Sequence, residues 1–308
     1  MRVLITGVDG YLGWSLSIYL AQRGYQVAGI DNYLRRAWVG EMGSHSAIPI
    51  AKMADRLLAY RENLGQNLRF YKGDLTDYNF VLNAYKSFRP DAIVYLGEMP
   101  SAPYSMIDVH HAVFTQTNNL LGTLVTLHAI REVVPDCHLI KLGTMGEYGT
   151  PEIDIEEGWL EVEHKGRRQK FLYPRQAGSL YHTTKIMDTD LLWFYVRTWQ
   201  LRVTDLMQGP VYGIFTEENR SHENLYPFLN YDELFGTVLN RFVIQAVADY
   251  PMTVYGKGGQ TRGYLNIIDT LNCVRLALEN PAAKGEMRIL GNVLKHSFHG
   301  IFIFVIDK

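Results

Sequence analysis

A phenol, an ammonium and a hydroxyl are spaced along this sequence in a way that suits hydride chemistry. Tyr181 and Lys185 lie four residues apart, so on a helix they share one face, a single turn from each other. Oxidising an alcohol by hydride transfer also removes its proton. A phenolate can accept that proton, and a nearby ammonium lowers the phenol's pKa. Thr144 follows the apolar run 137–142 and can hydrogen-bond the reacting hydroxyl. An ordinary pair on a helix face has the same spacing; the surrounding chain gives this one its weight.

Both stretches must stand at one end of a sheet. Val3-Leu4-Ile5 runs into Gly7, Gly10 and Gly13, then into a helical run with Leu12, Leu16, Tyr19 and Leu20. Gly24 ends that run, and residues 27–30 give a second strand closed by Asp31. Strand, glycine turn, helix and strand, with an acid about 20 residues past the glycines, is a dinucleotide-binding pattern. The glycines admit the pyrophosphate, the helix N-terminus favours its charge, and Asp31 accepts from a ribose 2′-hydroxyl. Arg35 and Arg36 either hold a 2′-phosphate or lie on a solvated loop. Asp31 would repel that phosphate, so the expected cofactor is NAD rather than NADP.

Further strands are expected at 68–71, 92–96 and 203–206, ending at Gly73-Asp74-Leu75, Gly97-Glu98 and Gln208-Gly209-Pro210. Ligands of open α/β sheets bind at such strand ends. Asp74 either bonds the adenine amino group or caps the next helix. The insertion 40–66 carries Ile50, Met53, Leu57 and Tyr60 at helical spacing, which predicts one amphipathic helix. Asn118 and Asn119 fall inside a helical region from 106 to about 134, where asparagine is disfavoured. They make specific hydrogen bonds or form a polar patch. Residues 151–172 are polar and charged, a surface excursion. Beyond about 213 the alternation weakens. Residues 240–248 read as helix, with Arg241 at a diphosphate or on a solvated face, and 254–263 is a glycine-rich loop with a basic centre, suited to a sugar-nucleotide diphosphate. The expected fold is a doubly wound parallel α/β sheet of the Rossmann type over 1–173, extended by 174–212 and about 262–280, with a smaller C-terminal substrate-binding lobe over 213–308.

Composition narrows the partners. A formal charge of −2 over 308 residues offers no basic face for nucleic acid or an acidic membrane. Cys137 and Cys273 lie in apolar runs and read as buried thiols of a reducing compartment. The ten histidines have no zinc-binding spacing, so no metal site is expected. Met1 leads almost directly into a strand, which points to the cytoplasm, and the apolar run 301–306 is far short of the ~20 residues a membrane span needs.

With these motifs in place, residues 1 to about 292 resemble the extended short-chain dehydrogenase/reductases that act on nucleotide sugars. Within that superfamily, residues 101–108, 144–150, 181–182 and 256–265 are similar to the UDP-sulfoquinovose synthase family in long, nearly uninterrupted runs. The resemblance implies that UDP-glucose and sulfite combine to give UDP-sulfoquinovose while NAD is recycled. Tyr181 takes the proton of the sugar 4-hydroxyl, the 4-ketone acidifies carbon 5, water leaves across carbons 5 and 6, and sulfite adds at carbon 6. It implies an NAD site from Gly7, Gly10, Tyr11, Leu12, Gly13, Asp31, Asn32, Arg35, Asp74, Leu75, Gly97, Asn118 and Val211, besides Tyr181 and Lys185. It implies substrate contacts from Ser101, Thr144, Met145, Gln208, Arg241, Gln260 and Arg262, and a homodimer formed through the long central helices. Sulfite is either free or delivered by a partner protein.

The related nucleotide-sugar 4,6-dehydratases carry Thr-Asp-Glu after the central strand, where this chain has Thr144-Met145-Gly146. Glu147 or His182 is left to serve the elimination; the alternatives are a structural hydrogen bond for Glu147 and helix packing for His182. Met145 shapes a low-dielectric pocket or simply packs. The chain departs from the family twice. Glu98-Met99-Pro100 stands where the family reads Glu-Gln-Arg, and after residue 290 the chain drifts into an apolar run. That ending reads as a truncation or altered frame, with the expectation of an incomplete substrate lobe.

Overall fold

The computed structural model describes residues 1–153, 156–254 and 263–291. Gln260, Arg262 and the run 292–308 lie outside the described residues. In chain order the strands and α-helices are β1 (Arg2–Thr6), α1 (Tyr11–Ala21), β2 (Gln26–Asp31), α2 (Leu34–Glu41), α3 (Met53–Leu64), β3 (Arg69–Lys72), α4 (Tyr78–Phe88), β4 (Ala92–Tyr95), α5 (Val109–Gln116) and α6 (Gly122–Val133). There follow β5 (His138–Thr144), β6 (Trp159–His164), β7 (Arg167–Leu172), α7 (Leu180–Trp199), β8 (Arg202–Gln208), β9 (Val211–Tyr212), α8 (Val238–Val247), β10 (Leu265–Asn266), α9 (Ile267–Glu279) and β11 (Met287–Gly291).

Seven strands form one sheet in the order β11-β8-β5-β4-β1-β2-β3, and every pair in it is parallel. Strands covered by helices on both faces read as continuous apolar runs, as Val3-Leu4-Ile5 and Ala92-Ile93-Val94 do. One core layer packs α1, α3 and α9 on one face, around Trp14, Leu16 and Leu271. The other packs α4, α6 and α7 on the opposite face, around Val81, Leu127 and Leu192. The strand order reverses direction between β1 and β4, which places the ligand crevice at their carboxyl ends. Thr6 closes that seam: its hydroxyl accepts from the amides of Leu96 (2.9 Å) and Gly97 (3.0 Å).

The expected helix in the insertion is α3. The sequence did not reveal α2, eight residues long, or the hairpin β6–β7. The hairpin is antiparallel and largely exposed, with charges on both faces, so no alternation of apolar and polar residues marks it. The long helical region is two α-helices joined by a π-helical turn, Thr117–Leu121. Such turns re-aim side chains and recur at functional sites. This one buries both asparagines. Asn119 accepts from the Met99 amide (2.9 Å) and donates to the Met99 carbonyl (3.2 Å) and Thr184 Oγ1 (3.0 Å). It therefore ties the loop after β4 to α7.

Cys137 is buried and Cys273 half-buried, both free thiols. No helix among the described residues is long and apolar enough to cross a membrane. No group of three or more His, Cys, Asp or Glu side chains placed to hold a metal ion occurs among them.

Candidate functional site

The glycine turn is built so that side chains cannot intrude. Gly7 has φ +68°, and a Cβ there would lie 2.8 Å from the Leu96 carbonyl oxygen. A Cβ at Gly13 would lie 2.2 Å from the Gly7 carbonyl oxygen. Only glycine fits both positions, and the bare backbone opens on a cleft of about 500 Å³. Gly10, Tyr11, Leu12 and Asn32 line its cofactor end with Asp31 and Leu75. Tyr11 also donates from its hydroxyl to the Gly213 carbonyl (2.5 Å), which joins α1 to the segment after β9.

Asp31 accepts from the amides of Asp9 (2.9 Å) and Tyr33 (2.7 Å). Burial and the neighbouring Asp9 carboxylate push its carboxyl up to about 6, against those two amide hydrogen bonds. A ribose hydroxyl donates best to the ionised form. If Asp31 holds the ribose, cofactor affinity is expected to be highest well above pH 6 and to fall as pH drops through that value, by up to about tenfold per pH unit. Titrating NAD by fluorescence quenching between pH 5 and 8 checks this; an affinity flat across the range would contradict it.

Arg36 is neither a solvated loop residue nor free for a phosphate. It grips Asp9 at 2.7 and 2.8 Å, and Arg56 holds the same carboxylate at 2.5 Å. Arg35 lines the cleft but turns toward the C-terminal segment, donating to Asn230 Oδ1 (2.9 Å) and the Phe235 carbonyl (3.3 Å). Both arginines are thus committed elsewhere, in keeping with NAD.

At the other end, Thr144, Tyr181, His182 and Lys185 line the same cleft, together with Gly97 and Asn118. Ser179 starts α7: its hydroxyl accepts from the His182 amide (3.1 Å) and lies 2.9 Å from His182 Nδ1. One serine therefore sets the helix start and the imidazole orientation together, a cap worth about 1 kcal/mol. A Cβ on Gly146 would strike His182 Nε2 at 2.3 Å, so the ring packs against the turn that presents Thr144. Lys185 Nζ donates to the Leu142 carbonyl (2.9 Å) and lies 5.8 Å from the Tyr181 ring centre. Burial pulls the ammonium down to about 8, with Asp188 and Asp205 opposing. The Tyr181 phenol is driven up by burial and by the fields of Glu147 and Asp188. Gln208 and Val211 line the cleft too, and Gln208 Oε1 is buried without a hydrogen-bond partner.

Spacing did not reveal the contact that Glu98 makes in the cleft. Its carboxylate Oε2 is in direct contact with Lys185 Nζ. Glu98 lines the cleft, and its other oxygen, Oε1, has no hydrogen-bond partner. Trp38, Pro100 and Phe235 add apolar wall.

Five expected residues are not brought to the cleft. Glu147 is fully buried behind it, 3.0 Å from Arg175, where burial and Asp205 push its carboxyl up to about 7 against Lys141 and Arg175. Met145 is 42% exposed and does not line the pocket. Ser101 donates its hydroxyl to the Leu234 carbonyl (2.5 Å). Asp74 accepts from Thr76 (2.8 and 2.7 Å) and Asn32 (2.9 Å), so it stitches its own loop instead of facing an adenine. Arg241, buried in α8, donates to the Thr253 carbonyl (3.1 Å). Met145 thus faces outward, and the other four face their own protein scaffold.

The profile of the NAD dependent epimerase/dehydratase family matches residues 3–291. The chain belongs to that family. NAD is the family's cofactor, and the glycine cradle, the crevice and Asp31 fit it. Within the family, the chain is 49% identical over 288 residues to the chloroplastic UDP-sulfoquinovose synthase of Spinacia oleracea, covering 94% of this chain and 60% of that one. It is 47% identical over 290 residues to the UDP-sulfoquinovose synthase of Sulfolobus acidocaldarius, covering 94% of this chain and 74% of that one. The chain thus spans between about three-fifths and three-quarters of these relatives' lengths. Its fold is shared with the UDP-glucose 4-epimerase of Bifidobacterium longum, solved with NAD+ and UDP, at TM-score 0.70 and 18% identity, over 97% of this chain and 79% of that one.

Proposed function

We propose that this chain acts as a UDP-sulfoquinovose synthase, joining UDP-glucose and sulfite. The observation that carries this reading over the 4,6-dehydratase reaction is the loop after β5. Thr144 enters the cleft, while Met145 turns outward and Glu147 turns back into the scaffold. No carboxylate from that loop reaches the sugar site, as a 4,6-dehydratase would need. Identity of 47–49% to two synthases supports the same assignment over the part of them that this chain spans.

Bound NAD supplies the hydride acceptor for carbon 4 and later returns the hydride. The protein's part is proton handling and placement. Lys185 brings positive charge beside the Tyr181 phenol, which favours the phenolate. The phenolate takes the 4-hydroxyl proton while Thr144 holds that oxygen by a hydrogen bond. The 4-ketone so formed acidifies carbon 5, and the hydroxyl on carbon 6 leaves as water. Sulfite then forms its carbon–sulfur bond at carbon 6. Apolar walls at Trp38, Pro100 and Phe235 keep bulk water from the unsaturated sugar. Arg262 and Gln260 are proposed for the diphosphate.

Incubation with NAD and UDP-glucose, without sulfite, separates this from the alternatives. The expected outcome is recovered UDP-glucose. Accumulation of UDP-galactose would mark an epimerase, and a 4-keto-6-deoxy sugar a dehydratase; either would displace the proposal.

The reading includes a homodimer. α5 and α7 pack side by side, with Gln116 donating to the Leu180 carbonyl (3.1 Å). Together they leave Val109 (66%), Val113 (58%) and Phe194 (49%) exposed. A second copy covering this face would remove apolar area worth about 25 cal/mol per Å². Val113→Glu is expected to convert a dimer into a monomer by light scattering; an unchanged mass would contradict this interface.

A further inference from the structure

Loss of water across carbons 5 and 6 needs a base for the carbon-5 proton, and the structure narrows the candidates. Glu147, the carboxylate nearest Thr144 in sequence, is fully buried against Arg175 and does not line the cleft. Among the described residues, two carboxylates line the cleft, Asp31 and Glu98, beside the His182 imidazole, whose Nδ1 lies 2.9 Å from Ser179 Oγ. Asp31 is held at the cofactor end by the Asp9 and Tyr33 amides. Glu98 follows β4, the strand next to the β5 that carries Thr144, and contacts Lys185 in the same cleft.

Its surroundings suit a base. One carboxylate oxygen is in direct contact with the Lys185 ammonium. Oε1 is buried and left without a hydrogen-bond partner, and Glu98 lines the cleft. The preceding backbone is fixed, since Gly97 donates to Thr6 and the Glu98 amide donates to the Leu96 carbonyl (2.9 Å). Asn119 locks the next residue, Met99, from both sides. Lys185 touches Glu98 and lies 5.8 Å from the Tyr181 ring centre, so carboxylate and phenol share one ammonium neighbour.

We propose that Glu98 is the catalytic base of the elimination. This rests on the function proposed above. Glu98 takes the proton from carbon 5, and the electrons of that C–H bond enter conjugation with the 4-ketone. As the double bond between carbons 5 and 6 forms, the C6–O bond breaks, and the leaving oxygen takes the proton from Glu98 to depart as water. The carboxylate is regenerated, and no outside oxidant or reductant is consumed.

The test follows two steps in the full chain. Hydride transfer is read as absorbance at 340 nm when UDP-glucose is added to the NAD-loaded protein. Proton abstraction is read as deuterium entering carbon 5 of recovered UDP-glucose in D2O without sulfite. Glu98→Gln is expected to keep hydride transfer within about tenfold and to slow carbon-5 exchange by at least about 100-fold. Glu98→Asp is expected to recover part of the exchange. Glu147→Gln is expected to exchange at close to the wild-type rate, with its hydride signal showing that it is folded.

Exchange retained in Glu98→Gln would overturn the inference and leave the function standing. Parallel loss of both steps in that variant would also overturn it, reducing Glu98 to a residue that positions Lys185. Exchange lost in Glu147→Gln alone would return the role to Glu147. A wild-type protein that transfers hydride yet never exchanges carbon 5 would remove the proposed function and this inference together.

Discussion

Tyr181→Phe is expected to lower kcat by roughly 100- to 10,000-fold while shifting the KM for UDP-glucose by no more than about threefold. The phenylalanine ring keeps the shape of the cleft wall and the packing against His182, whose ring centre lies 5.1 Å away. The group lost is the one oxygen that accepts the 4-hydroxyl proton, which acts in the transition state and contributes little to ground-state binding. Burial already drives the phenol's pKa up in the free protein. The base therefore forms only when positive charge gathers around it, and the rate should rise with pH across the neutral range. Steady-state kinetics of the two proteins check this. A loss confined to KM would contradict a proton-transfer role.

Asp9→Asn is expected to destabilise the fold by about 3–5 kcal/mol, since breaking a buried ion pair strands its partner. Asp9 sits inside the glycine turn and is 1% exposed; Arg56, fully buried, bonds both its carboxylate and its carbonyl (3.2 Å) and stacks 3.8 Å from the Trp14 ring. Burial pulls the Arg56 guanidinium down to about 10 even with Asp9 beside it. Asparagine would keep the shape and remove the counter-charge for two guanidinium groups at once. The same triad fixes the turn that faces the cofactor, so NAD affinity should fall in parallel. Urea denaturation measures the first effect, and a loss below about 1 kcal/mol would show that the triad relaxes into solvent. Arg56→Met combined with Asp9→Asn should recover part of the stability, since the stranded buried charge is gone.

Much of this site could be read along the chain because its parts are local. Gly7, Gly10 and Gly13 mark a turn whose geometry only glycine allows, and Asp31 closes the next strand in register. Tyr181 and Lys185 meet through helical spacing alone. The contacts that were missed join distant segments. Nothing in the sequence places Glu98 against Lys185, or Arg56 against Asp9, because strand order and helix tilt decide those meetings. Side-chain direction was the second blind spot. Glu147, Met145 and Asp74 all lie in the expected loops, but a short turn can face a residue to the cleft, to solvent or to the scaffold, and spacing carries no record of which. Arg36 was misread for the same reason: beside Arg35 it looked like a loop charge, whereas α2 swings it back onto Asp9.

The most direct test of the central claim is the mass of the product formed from UDP-glucose, NAD and sulfite by this chain. A sulfite-dependent UDP-sulfosugar, absent when sulfite is omitted, is the expected result. Full recovery of UDP-glucose in the presence of sulfite, by a folded protein that binds NAD, would contradict the account.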